Sequence, residues 1–146
     1  MSHVRQQIRE AAAALVTGLA TTSTRVFQSR IYPLRDADLP CLLVMTDDED
    51  INSDGISSPA LQDRTLRLVI KVVAKANANL DDALDSIAAE VETAIGSTTF
   101  SGKAKSCLLE SINVDMSDEL EKPSGTAALN FRVNYFTATG APGAAL

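Results

Sequence analysis

The stretch that decides the fold reads TLRLVIKVVAKA at residues 65–76 and LDDALDSIAAEVETAI at residues 80–95. In the first part apolar residues take alternate positions, which is typical of a half-buried strand. In the second part they recur every three or four residues, and this spacing places them along one stripe of a helix. The apolar positions are Leu66, Leu68, Ile70, Val72 and Ala74 in the strand, and Leu80, Ala83, Leu84, Ile87, Val91 and Ile95 in the helix. The pair predicts a strand followed directly by a helix that packs on the sheet.

The same two spacings of apolar residues, alternation in strands and every three or four residues in helices, predict the remaining elements. A helical stripe from Val4 to Leu19 predicts a first helix, which Ser2 is expected to cap. Residues that favour strands predict further strands at 25–32, 41–45, 107–116 and 127–138. The last two are expected to pair as an antiparallel hairpin across a charged turn. The buried face of its second strand is expected to carry Leu129, Phe131, Val133 and Tyr135.

The length of the chain suits one domain. With 146 residues it can bury roughly 70% of the surface that the unfolded chain exposes. We predict a single α+β domain over 1–138, in which two amphipathic helices pack on a mixed, mostly antiparallel sheet of about four to five strands. The polar residues 46–63 are expected to form a long loop or an extended arm, and residues 139–146 a flexible tail.

Composition and single residues argue against most kinds of chemistry. A net charge of −6 does not suit a protein that holds nucleic acid through its phosphates. The longest apolar runs are far shorter than the ~20 residues of a membrane span. His3 is the only histidine and stands at the N-terminus, so a catalytic relay has no base. Cys41 and Cys107 lie in apolar runs and are expected to be buried, reduced thiols. We therefore expect a cytoplasmic protein that is not an enzyme and has no catalytic residue, resident metal or cofactor.

An acidic run in the polar segment is the first candidate contact surface. It consists of Asp47, Asp48, Glu49 and Asp50, with Asp54 further on. Carboxylates at this spacing can offer oxygen ligands to a hard cation such as calcium or magnesium, but the run lacks the ligand order and the glycine of an EF-hand. We expect a solvated or partner-facing segment. The charged turn 117–125 is a second candidate for contacts.

Basic residues of the decisive strand are the next candidates. Arg64, Arg67 and Lys71, with Lys75, are assigned to one face of it. One interpretation is a solvent-facing sheet surface. The other is a basic patch that complements the acidic run of a neighbouring copy, which is the arrangement that head-to-tail packing in a ring requires.

The order of these elements resembles the tail terminator proteins of long-tailed phages with non-contractile tails, the lambda minor tail protein type. Residues 26–50, VFQSRIYPLRDADLPCLLVMTDDED, carry the likeness best: a strand, an Arg-x-x-Pro turn, a short acidic connector and Leu-Pro before an apolar strand. Residues 67–95, RLVIKVVAKANANLDDALDSIAAEVETAI, and residues 129–137, LNFRVNYFT, fit the same plan. The resemblance spans nearly the whole chain.

This resemblance implies a structural assembly protein. It would form a homohexameric ring on the neck end of the tail tube, end the polymerisation of the tail tube protein and offer an attachment surface to the head-to-tail connector protein. DNA would pass through the lumen only as cargo, no membrane would be involved, and assembly would take place in the host cytoplasm. No individual residue is transferred from the family.

Two other classes of function stay open. A head-to-tail connector or tail completion protein would also form rings but would bind a different partner. A small-molecule-binding α+β domain would be a monomer or dimer, and its melting temperature would rise with ligand.

Overall fold

A computed structural model of the protein describes residues 2–28, 36–54, 59–75, 79–117 and 124–146. Within these residues the chain forms two helices, a short 3-10 turn at Asp36–Asp38 and five strands. In chain order these are α1 (Val4–Leu15), β1 (Val26–Phe27), β2 (Cys41–Asp54), β3 (Leu61–Lys75), α2 (Leu80–Ile95), β4 (Ser106–Ser117) and β5 (Ser124–Ala138). The predicted α+β class is confirmed.

The five strands form one open sheet in the order β1-β2-β3-β5-β4. Only the β1–β2 pair is parallel, and the other three pairs are antiparallel. The hairpin of β4 and β5 is present as predicted, and β5 lies between β4 and β3. The middle of the sheet is therefore β3, and β4 forms one of its edges.

Both helices lie on the same face of the sheet, where they cover the main core. There α1 packs on β2, while α2 packs on β3 and β5. The predicted apolar face of β3 is confirmed, because Leu66, Leu68, Ile70 and Val72 are completely buried. Burial of one such side chain contributes about 1.5–3 kcal/mol. A smaller cluster of Leu39, Cys41, Leu43 and Val73 lies apart from this core and gives β2 and β3 apolar contacts on their second face.

The predicted polar loop over 46–63 is wrong for most of its length. Residues 46–54 continue β2 and residues 61–63 begin β3, and both segments belong to the β2–β3 ladder, which a bulge at Asp47 and Asp48 interrupts. Residues 55–58 lie outside the described part of the chain. The acidic residues did not reveal a strand because a β-bulge interrupts their alternation, and because the side chains of Asp47, Asp48 and Asp50 face solvent.

The C-terminal residues are tied down, contrary to the expectation of a tail with nothing to hold it. The backbone N–H of Leu146 donates to the carbonyl of Phe136 at 2.9 Å. The N–H of Val4, one of the free donors at the start of α1, donates to the carbonyl of Pro142 at 2.8 Å. These bonds join residues 139–146 to α1 and β5.

Smaller differences concern where elements begin and end. The cap of α1 is His3, whose Nδ1 accepts a hydrogen bond from the Arg5 N–H at 3.0 Å, so the predicted cap Ser2 is wrong. Of the strand predicted at 25–32, Val26–Phe27 form β1, and residues 29–32 lie outside the described part of the chain. Gly96 ends α2 as predicted, with a positive φ of 52° that suits glycine.

Candidate functional site

A β-bulge in β2 determines where the acidic residues point. Thr46 pairs with Leu68 and Glu49 with Leu66, so two residues of β2, Asp47 and Asp48, lie opposite the single residue Arg67. An extra residue in one strand reverses which of its side chains face each side of the sheet. Before the bulge the even-numbered residues of β2 face the helices, and after it Glu49 does.

Glu49 lies at the centre of a buried polar cluster. Its side chain is 4% exposed, and its Oε2 is 3.6 Å from Nη1 of Arg64 and 3.4 Å from Nη1 of Arg5. The Tyr135 hydroxyl donates a hydrogen bond to the other carboxylate oxygen. The cluster thus joins α1, β2, β3 and β5 through one carboxylate.

Arg64 belongs to this cluster, and its assignment to the basic outer face of β3 is wrong. As an even-numbered residue it shares the face of Leu66, and it is 7% exposed. Its Nε donates to Oγ1 of Thr137 at 2.9 Å, its Nη2 donates to Oε1 of Gln62 at 3.0 Å, and its guanidinium lies over the Tyr135 ring at 5.9 Å. These partners compensate for the loss of hydration that burial of a charge entails.

The electrostatics of the cluster fit a structural role. Burial raises the pKa of the Tyr135 hydroxyl, and the hydrogen bond to Glu49 raises it further. The pKa of His3, at the start of α1, is lowered mainly by burial and then by Arg5. Neither group is activated as a nucleophile. The Tyr135 hydroxyl stays protonated and donates to Glu49, and the His3 Nδ1 accepts the hydrogen bond from the Arg5 N–H that caps α1.

The two cysteines are buried and unpaired by disulfide, as predicted. Burial raises the pKa of the Cys41 thiol to about 12 and that of Cys107 to about 11. Both remain thiols at neutral pH, and a thiol is a far weaker nucleophile and metal ligand than a thiolate.

A charged groove lies on the sheet face that the helices leave open. Arg67 and Arg132 are directly opposite each other in the β3–β5 ladder, and both are exposed. The groove has a volume of about 530 Å³. The residues that line it are Asp48, Glu49, Asp50, Thr65, Leu66, Arg67, Glu110 and Arg132. The groove brings residues of the acidic run and Arg67 together within one copy, whereas the ring interpretation had placed the two charges on separate patches.

The paired charges in this groove are largely available to a partner. The Arg132 Nε and the Glu110 Oε1 are 4.0 Å apart, and both side chains are 50% exposed. An exposed pair of this kind contributes only about 0–1 kcal/mol to folding. Two arginines side by side also repel each other, which favours the approach of an acidic group.

Two other predicted contact residues, Lys71 and Asp47, are not among those that line the groove. Lys71 is on the same face as Arg67, four residues along β3, and is half-buried. Asp47 is exposed within the bulge of β2. Asp54 is the last residue of β2, and its side chain is not among those described. Most of the turn 117–125 lies outside the described residues.

The sequence analysis missed an apolar stripe on the edge strand β4. A second bulge falls between Leu109 and Ser111, and beyond it Ile112, Val114 and Met116 face the helix side of the sheet. They are 42%, 57% and 58% exposed, respectively. The alternation in SINVDM, residues 111–116, indicates one apolar face, but only the exposed fractions of these side chains show that this face stays in solvent.

The described residues contain neither a cluster of metal ligands nor a helix that could cross a membrane. In residues 2–28, 36–54, 59–75, 79–117 and 124–146, no group of three or more His, Cys, Asp or Glu side chains is arranged to hold a metal ion. None of the helices found in that part of the chain is long and apolar enough to cross a membrane.

Comparisons with known proteins identify the family. The family model for phage minor tail protein U matches residues 3–135. Among solved structures, a chain in the virion of a native gene transfer agent particle is similar, with a TM-score of 0.48, 20% identity and 90% of each chain covered. No curated protein sequence matches the chain. The family match covers most of the molecule, and the chain therefore belongs to the phage minor tail protein U family as a structural protein of the phage tail.

Proposed function

We propose that this protein is a tail terminator. In this proposal a hexameric ring forms on the neck end of the tail tube, stops its polymerisation and offers a surface to the head-to-tail connector. The observation that carries the proposal is the family match over residues 3–135. The buried thiols and the neutral Tyr135 agree with a role that is not enzymatic.

A terminator must bind its own copies, the tube and the connector, and the charged groove suits one of the last two partners. The groove is open, and its two arginines stand beside the acidic Asp48 and Asp50. Mixed charges on a rigid sheet favour a specific orientation of a partner more than they favour raw affinity. We assign to this groove the contact with another virion protein.

The acidic balance of the chain suits a ring through which DNA passes. A net charge of −6 gives the protein no general attraction for phosphates, so DNA in the lumen would move as cargo without being held. Assembly would then take place in the host cytoplasm, before the tail joins the head.

A tube-capping assay tests the proposal. Purified tail tube protein is allowed to polymerise with and without this protein, and tube lengths are measured by electron microscopy. We expect shorter tubes with a density at one end. Tubes of unchanged length with no added end density contradict the terminator function, and binding to the connector without capping would favour a connector or tail completion protein.

Arg67→Glu tests the groove in the same assay. Arg67 is exposed, so the fold should be unaffected, while the charge at the centre of the groove is reversed. We expect at least a tenfold higher protein concentration for capping, because like charges at a contact are repulsive. Lys75→Glu is the matched control: it has the same change of charge on the same face of β3, outside the groove. Equal capping by both variants would remove the groove from the proposal.

A further inference from the structure

One ring nitrogen of His3 holds the first turn of α1. Its Nδ1 accepts a hydrogen bond from the Arg5 N–H at 3.0 Å, and its backbone is extended, with φ −56° and ψ 141°. The first N–H groups of a helix have no partners within the helix, so a capping side chain must supply an acceptor. Histidine differs from the usual capping residues, serine, threonine, aspartate and asparagine, because its ordinary pKa of about 6.5 lies in the physiological range.

Protonation of the imidazole abolishes this cap. A neutral imidazole with its proton on Nε2 has a free lone pair on Nδ1, which is the atom that accepts from Arg5. In the imidazolium both ring nitrogens carry protons, so Nδ1 then faces the Arg5 N–H as a second donor. The positive charge also stands at the end of the helix where its dipole is positive. Acid therefore turns a stabilising contact into a repulsive one.

The first turn of α1 in turn holds the C-terminal residues 139–146. The Val4 N–H donates to the Pro142 carbonyl at 2.8 Å. Nε2 of Gln7 donates to the Gly143 carbonyl at 3.1 Å. Both bonds start from the turn that the histidine caps, so opening of that turn removes two anchors of the C-terminal residues.

The groups around His3 favour the neutral ring. Burial has the largest effect and lowers the pKa of His3, and Arg5 of α1 lowers it further. Glu49 of β2 raises this pKa, and Arg64 of β3 lowers it. The Glu49 carboxylate already binds both arginines and the neutral Tyr135 hydroxyl of β5, so its attraction for an imidazolium is shared with two fixed cations.

We propose that His3 is a pH-sensitive latch for the start of α1 and for residues 139–146. The neutral ring keeps the latch closed, and protonation opens both parts while the sheet and the core stay folded. Because the pKa of His3 is lower in the folded chain than in the unfolded chain, the unfolded chain takes up this proton first as the pH falls. The contribution of the cap is therefore complete above the ordinary pKa of about 6.5 and declines below it. The latch belongs to a single copy, so it does not depend on the terminator proposal.

Titration of the imidazole by NMR is the first test. His3 is the only histidine of the chain, so its ring signals are not confused with those of another. We expect the nitrogen chemical shifts of the ring at pH 7.5 to show the proton on Nε2. We also expect the midpoint of the titration to lie below that of the same chain unfolded in urea. A proton on Nδ1, or a midpoint equal to or above the unfolded one, overturns the inference.

Amide hydrogen exchange tests whether protonation opens the latch. Wild type is compared with His3→Asn, a matched control whose side chain also caps helices but does not titrate. The ratio of the two exchange rates at one pH cancels the pH dependence of exchange itself. We expect this ratio to rise by about threefold or more from pH 7.5 to pH 5.5 at the amides of Arg5 and Leu146. The Leu146 amide reports on the C-terminal residues, because it donates to the Phe136 carbonyl at 2.9 Å.

An amide in the sheet distinguishes local opening from general loosening. Ile70 is completely buried in the middle of β3, and its rate ratio should be the same at both pH values. An equal rise at Ile70 contradicts a local latch. A rise at Arg5 without one at Leu146 overturns the link between the cap and the C-terminal residues, and no rise at either amide overturns the latch altogether.

Removal of the capping acceptor completes the test. In His3→Ala the Arg5 amide should exchange faster than in His3→Asn at both pH values, because alanine offers no acceptor. Equal rates in the two variants would mean that the cap holds nothing and would overturn the inference. The titration of wild type needs neither variant, so it decides the case even if a substitution impairs folding.

Discussion

The Glu49 cluster and the β4 stripe lie towards opposite ends of the sheet and differ in what they bury. Near α1 a β-bulge turns a carboxylate into the core, where it meets two arginines and a tyrosine. At β4 another bulge keeps three apolar side chains on the helix side, where they remain exposed. Polarity alone therefore does not decide burial. In these two regions coverage by neighbouring elements decides it, because Glu49 is covered by α1 whereas the β4 stripe stays in solvent.

The largest effect should come from removal of the central carboxylate. Glu49→Ala leaves the buried Arg64 without its ion-pair partner and the Tyr135 hydroxyl without an acceptor. We expect a loss of about 3–5 kcal/mol in the free energy of unfolding, measured by urea denaturation. Asp50→Ala, one residue along β2 and exposed, should cost less than about 0.5 kcal/mol. Equal losses would mean that the cluster contributes no more than a surface charge.

A pair of valine substitutions tests the role of coverage directly. Val133 is completely buried in β5, whereas Val114 in the neighbouring β4 is 57% exposed. Val133→Ala should cost about 2 kcal/mol, from the lost burial of two methyl groups and the cavity left behind. Val114→Ala should cost less than about 0.5 kcal/mol at concentrations where the protein is monomeric. A large loss for Val114→Ala under those conditions would show that the stripe is covered within one copy.

The smallest effect concerns the tyrosine of the cluster. Tyr135→Phe removes one hydrogen bond to Glu49 and should cost about 1.5 kcal/mol at neutral pH. The pKa of Tyr135 is raised in the folded state, so the unfolded chain loses this proton first as the pH rises. That contribution to stability is complete below the usual tyrosine pKa of about 10 and declines above it. Denaturation of wild type and Tyr135→Phe from pH 8 to 11 measures the difference, and parallel curves would contradict the shift.

Much of the fold could be predicted because local patterns and burial agree. The alternation in β3 and the stripe in α2 each name residues that are buried, from Leu66 to Ile95. The position of Arg64 was also readable, since it has the same parity as Leu66 and so lies on the core face. The prediction failed there because a charged residue was grouped with other charges instead of by position along the strand.

The burial of Glu49 could not be predicted in the same way. It depends on a bulge that appears only when β2 is aligned with β3, and on a partner, Tyr135, that is 86 residues away in the chain. The acidic run itself looks uniform, although one member enters the core while Asp47, Asp48 and Asp50 stay exposed. Local sequence does not distinguish them.

The sequence by itself determined the α+β class, the hairpin of β4 and β5, the faces of β3, β5 and α2, and the likeness to a phage tail family. Each of these depends on periods and residue types that are legible along a single segment. The tertiary structure decided that the polar segment is a strand pair, that Arg64 and Glu49 are buried together, and that the β4 stripe is left open. These depend on the register between strands and on the width of the helix layer, which arise only when segments distant in the chain pack together.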